Sequence, residues 1–169
     1  TISETGVGEA TAYKNNTFIL SGEVTDTYGL SEVVVVEGST TVATIPVSGT
    51  SDTWSWSKTV DGTNDGTYTY TITVTDSAGK DTTEERTVIV DTQLPSVSIT
   101  NPDGTGFLSG SAYTAEGGAS DMGNAGLAMV YWWAGDASAS PPVDHTTWNS
   151  ANGTSSWNGS MDLNTVGEG

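Results

Sequence analysis

Tyr68-Thr-Tyr-Thr-Ile-Thr-Val-Thr-Asp76, followed at once by Ser77-Ala78-Gly79, is the most regular stretch of this chain. Tyr68, Tyr70, Ile72 and Val74 alternate with threonines. A period of two sends successive side chains to opposite faces of an extended strand. One face is therefore apolar and the other polar. Asp76 to Gly79 supplies residues that favour a tight turn. A strand of this kind buries one face and wets the other, as in two sheets packed face to face.

The same grammar extends in both directions. Thr17 to Thr25 carries a strand signal interrupted by Gly22, and Asp26-Thr-Tyr-Gly29 turns the chain. Ser31 to Glu37 contains the consecutive valines Val33 to Val36, a β-branched run with strong strand character. Gly38-Ser39 is the next turn. Thr41 to Val47 is a short strand in which Pro46 indicates an edge or an irregular end. Thr53 to Val60 alternates, with Trp54, Trp56, Lys58 and Val60 on one parity. Lys58 is expected to lay its stem along the sheet and expose its ammonium. Asp61 to Gly66 is a turn cluster, and Thr82 to Val90 closes the module with Val88 and Val90 inward. About seven strands at this spacing, with no helix, describe a β-sandwich module.

A short phrase returns. Leu20-Ser-Gly22 is echoed by Leu108-Ser-Gly110, and the glycines at positions 22 and 110 lie one small sandwich module apart. The chain therefore divides into modules at residues 1–91 and 92–169. Asp91-Thr-Gln-Leu-Pro95 is the junction, and Pro95 biases Leu94 towards extended backbone, so the linker is expected to be short and stiff. In the second module Val97 and Ile99 open a strand, Phe107 to Ala115 forms the next, and Gly117 to Gly126 reads as a small-residue loop. Leu127 to Trp133 is apolar, and Trp148 and Trp157 mark the strands that follow. Beyond Trp157 the pattern fades, and Thr165 to Gly169 has no strand signal. The second module is expected to lack its final strands, through truncation or because a partner donates a strand to an open apolar edge.

Composition narrows the function. The 169 residues carry 21 acidic and 4 basic groups, a formal charge of -17. The basic residues Lys14, Lys58, Lys80 and Arg86 all precede Asp91. Such a surface repels nucleic-acid phosphates and anionic membranes and suits cations and salty surroundings. There is no cysteine, hence no thiol chemistry and no disulfide. No apolar run is long enough for a membrane-spanning helix. A start at Thr1 without a leader pattern is expected of a segment cut from a longer chain.

Ser21-Gly22, the Asp26 and Gly29 loop, Tyr68 to Asp76 with Ser77-Ala78-Gly79, Val90-Asp91, Pro95 and the second Ser109-Gly110 together resemble tandem bacterial immunoglobulin-like modules of large surface proteins and adhesins. The resemblance runs through the first module and into the second as far as about Trp133. It implies an all-β chain of two tandem immunoglobulin-like β-sandwich modules in an extracellular or cell-surface stalk. Neighbouring modules of the same protein would be its partners, and some such families bind calcium at their joints.

Calcium takes several oxygen ligands. In an immunoglobulin-like topology the last strand ends near the loop before Tyr68, which brings Asp91 towards Asp61 and Asp65. Asp121 lies in a loop of the next module, and the opposite pole offers Asp26 and Asp76. The other reading makes all six ordinary turn aspartates that hold nearby backbone. No complete calcium-loop motif is present. His145 stands alone and reads as an exposed loop residue; no Gly-x-Ser-x-Gly elbow or marked acid–base pair points to an enzyme. A further reading joins Trp132 with Trp148 or Trp157 in a platform for a glycan or a surface-protein ligand. The expectations are thus a non-enzymatic spacer, with or without calcium; a binding module that uses these tryptophans; or a self-assembling surface subunit completed by a donated strand.

Overall fold

The computed structural model describes residues 1–104, 111–135 and 138–162. The echo at Leu108-Ser-Gly110, the strand start at Phe107 and the Thr165 to Gly169 tail lie outside these residues. The chain forms two compact units: Thr1–Gln93 with Gly123–Ala125, and Leu94–Met122 with Gly126–Gly169. Among the described residues no helix is long and apolar enough to cross a membrane.

The first unit is a two-sheet sandwich. Its strands are β1 (Thr11–Lys14), β2 (Phe18–Thr25), β3 (Leu30–Glu37), β4 (Thr40–Pro46), β5 (Ser51–Lys58), β6 (Gly66–Asp76) and β7 (Asp81–Val90). One sheet has the order β1-β7-β6-β3-β4, and the other pairs β2 with β5. All pairings are antiparallel except β1 with β7. The alternation seen in the sequence becomes the core. Tyr70, Ile72 and Val74 of β6, Val33 and Val35 of β3, Val88 and Val90 of β7 and Leu20 and Trp54 of the facing sheet are all buried. Between them Val34 and Val36 are only partly buried, as a period of two requires. β4 pairs only with β3 and ends at Pro46, whose missing N–H is harmless at an edge.

The first residues of the chain were not legible as strand. Ser3 donates its backbone N–H to Glu23 O at 2.9 Å and Thr5 donates to Ser21 O at 2.7 Å, so this segment pairs with β2. Farther on, β1 joins the other sheet beside β7. Gly22 explains one half of the recurring phrase. A Cβ there would stand 1.8 Å from the Ser3 carbonyl oxygen, so a side chain would push the segment around Ser3 away from β2.

Glu4 sits between the two pairings and is 6% exposed. Its Oε1 accepts the Val7 N–H at 2.8 Å and, more loosely, the Ser21 N–H at 3.4 Å. Its Oε2 accepts from Arg86 Nε at 3.1 Å. The carboxylate therefore ties the initial segment to β2 in one sheet and to β7 in the other.

Two more polar contacts fasten the sandwich. Tyr68 donates its hydroxyl to Asn64 O at 2.7 Å, closing the corner that leads into β6, a tyrosine corner of the immunoglobulin kind. Lys58 at the end of β5 meets Glu37 at the end of β3 at 2.8 Å, and Tyr70 donates to the same carboxylate at 2.8 Å. Burial first, and then the Glu37 carboxylate, push the Tyr70 hydroxyl far above its ordinary pKa. The Lys58 ammonium is thus not simply solvated. It is paired across the sandwich and lies 4.4 Å over the Tyr68 ring.

The second unit is smaller. Its elements are β8 (Ser96–Asn101), β9 (Ala112–Ser120), β10 (Tyr131–Trp132), a 3-10 turn at His145–Thr147, β11 (Asn149–Ser150) and β12 (Ser156–Asp162). The sheets have the orders β12-β9-β8 and β10-β11. Gly117 to Ser120, expected in a loop, instead continue β9, where Gly117 is paired with both Ile99 and Trp157. A Cβ-free residue suits this crowded position, and low strand propensity concealed it. Ala115, Val130 and Trp157 form a modest core, with Ala119, Trp132, Ala151 and Met161 against it. The register places Val97 and Ile99 of β8 on the face that Trp157 occupies, yet they are 66% and 64% exposed. The all-β expectation therefore holds, with two tandem modules of which the second is an incomplete sandwich.

Candidate functional site

The end of β7 is the most elaborated polar region of the first unit. Asp65 stands at the entry to β6, beside the exit of β7, because Gly66 pairs with Val90. It accepts the Thr92 N–H at 3.1 Å, the Thr92 hydroxyl at 2.9 Å and the Gln93 amide at 3.2 Å. Burial pushes the Asp65 carboxyl up, but the hydroxyl and amide of Thr92 together with Gln93 outweigh it and hold the pKa below the usual value. Asp91 is nearly buried and accepts the Gln93 N–H at 3.0 Å and the Ala125 N–H at 2.6 Å. These carboxylates organise the chain leaving β7.

Asp61 behaves differently. It accepts the Thr63 hydroxyl at 2.8 Å and the Thr63 N–H at 3.0 Å, which lower its pKa in that order. It serves its own turn. At the other pole Asp26 accepts the N–H groups of Tyr28 and Gly29 at 2.8 and 3.2 Å. Asp76 accepts those of Ala78 and Lys80, both at 2.8 Å. Asp26 and Asp76 share the rim of a small cavity of about 70 Å³ with Lys80 and Asp81. Asp121 follows directly after β9 in the second unit.

Among the described residues no group of three or more His, Cys, Asp or Glu side chains gathers where it could hold a metal ion. Asp26, Asp61, Asp65, Asp76 and Asp91 each accept backbone N–H groups, so each holds nearby chain.

Trp132, Trp148 and Trp157, the three tryptophans of the platform reading, separate. Trp157 is 4% exposed and belongs to the core, so it offers no face to a ligand. Trp148 closes the 3-10 turn and donates its indole N–H to Pro142 O at 3.0 Å. Trp132 packs against the core and also lines an open groove of about 300 Å³ with Asn149, Asn152, Asn158 and Ser160. Period-two parity could not separate these roles, because the strand carrying Trp132 is only two residues long and Trp148 lies before an equally short one.

His145 is exposed, with its ring edge-on to Tyr131 at 5.4 Å. Its neighbour Asp144 caps the turn by accepting the Thr146 hydroxyl and N–H, which lower its pKa in that order. Neither arrangement orients an acid–base pair.

A family model described as bacterial Ig-like domain matches residues 2–92. A solved structure of fibronectin(III)-like modules of CbhA from Clostridium thermocellum is 20% identical, with a TM-score of 0.42. The match covers 72% of this chain and 62% of that one. No curated protein matches. The family match spans more than half of the chain and coincides with the sandwich of the first unit, a fold built for structural and adhesive roles rather than catalysis: the chain belongs to the bacterial Ig-like domain family.

Proposed function

We propose that this chain is a spacer segment of an extracellular or surface-attached bacterial adhesin-like protein, stiffened where the first unit hands the chain on. The observation that carries this reading is the binding of Thr92 and Gln93 by Asp65 and Asp91. After Gln93 only Leu94 and Pro95 precede β8, and Pro95 further restricts the backbone. Short linkers of limited freedom transmit position, whereas flexible ones average it out. Neighbouring modules of the same protein are the partners this role requires.

Paired spin labels, one in β5 and one in β12, test it. A narrow distance distribution that broadens in Asp65→Ala/Asp91→Ala is the expected result. An equally broad distribution in both proteins would remove the stiff-spacer reading. Calcium titration by calorimetry, with melts in calcium and in chelator, asks whether an ion adds to these hydrogen bonds. Binding lost in Asp91→Ala would put an ion at the joint. No heat and unchanged melting would leave hydrogen bonding as the stiffening device.

A further inference from the structure

We infer that the groove beside Trp132 is a binding site for a short neutral oligosaccharide. This site lies wholly in the second unit and is independent of the spacer reading. The groove is built by close backbone approach. Trp132 on β10 lies against Gly159 of β12, where a Cβ would stand 2.2 Å from the indole nitrogen. Any side chain at 159 would displace the ring, so the glycine creates the seat of the indole.

The polar wall is fixed as well. Asn152 and Asn158 exchange backbone hydrogen bonds of 2.8 and 3.0 Å, which holds the two residues opposite each other at the groove. Asn149 and Ser160 complete this wall. Among the described residues no hydrogen bond within the chain employs the side-chain amide of Asn149, Asn152 or Asn158. Each amide offers donors and an acceptor together, the combination that sugar hydroxyls demand. The Trp132 indole packs against the core and backs this wall, with its nitrogen buried.

Charge chooses among ligands. No ionisable side chain lines the groove. The chain as a whole carries -17, and no lysine or arginine follows Asp91, so acidic glycans and phosphates are repelled. The volume of about 300 Å³ lies at the lower end of the usual range for small-ligand sites, which suits one or two sugar residues. Neither apolar peptide nor lipid matches a wall so rich in amides.

The test is calorimetry and saturation-transfer NMR on the whole chain. The probes are cellotetraose, maltotetraose, mannotetraose and N-acetylchitotetraose, with trigalacturonate and a neutral peptide as comparators. The expected result is binding of at least one neutral tetrasaccharide, weakened about tenfold or more in Asn152→Ala/Asn158→Ala as two hydrogen bonds are lost. Both residues are exposed, so the melting temperature should not move. Trp132→Phe, which keeps an aromatic packing group, should weaken binding less than the double substitution does. No binding of any neutral tetrasaccharide up to about 5 mM would overturn the inference. So would binding indifferent to the double substitution, or a preference for trigalacturonate or the peptide.

Discussion

Replacing Glu4 with alanine should unfasten the first unit where its two sheets meet. The lost carboxylate accepts the Val7 N–H at 2.8 Å and Arg86 Nε at 3.1 Å, in a site where Glu4 is almost wholly buried. Removing one partner of a buried ion pair costs about 3–5 kcal/mol, because the survivor stays desolvated. Arg86 retains Glu84 at 2.8 Å and the Glu85 carbonyl at 2.7 Å, which places the expected loss near the lower bound, about 3 kcal/mol. For a domain of this size that corresponds to a fall in Tm of about 12–24 °C. Glu4→Gln should lose about half as much, since its amide oxygen can still accept from Val7. Urea unfolding, with amide exchange read at β2 and β7, measures both variants. A double-mutant cycle with Arg86→Met isolates the pair. The coupling should exceed about 1 kcal/mol and survive added salt, as expected of a largely buried pair. A loss below about 1 kcal/mol in Glu4→Ala, or no coupling to Arg86, would refute the view that this carboxylate joins the sheets.

Gly22→Ala should displace the initial segment from β2, costing about 2–3 kcal/mol and raising amide exchange at Ser3 and Thr5 while β6 stays protected. Unchanged exchange at these two amides would show that the Ser3 carbonyl contact is unimportant. Asp65 has a folded pKa below that of the unfolded chain. Its contribution to stability is therefore complete above about pH 5 and lost as the pH falls below about 4. Melting curves of the chain and of Asp65→Asn should differ at neutral pH and converge in acid; a constant difference down to pH of about 2.5 would contradict the assignment.

Much of the architecture could be read from residue order, because strands announce themselves wherever one face meets a core. Tyr70, Ile72 and Val74, or Val33 and Val35, alternate since burial repeats every second residue. Signals weaken where partners supply what side chains do not. β1 is short and mostly polar and exists because β7 offers it a parallel edge. Gly117 and Gly118 lie in a strand because β8 and β12 flank them on both sides, and Ala119 and Ser120 because β8 continues beside them.

The local chemistry of the turns was equally legible. An aspartate followed closely by small or polar residues tends to hold its own backbone, as Asp26, Asp61 and Asp76 do. Sequence order also carried the tryptophans as large apolar surfaces, but not their fates. Trp157 is enclosed, Trp148 is bound to a carbonyl, and Trp132 edges a groove, according to which strands cross above each ring. In the same way Glu4 meets Arg86 across 82 positions, and Asn149, Asn152 and Asn158 converge around an indole. The period of a pattern is a local property and survives in one dimension. The company a side chain keeps depends on sheet order and register, which arise only when distant strands pair.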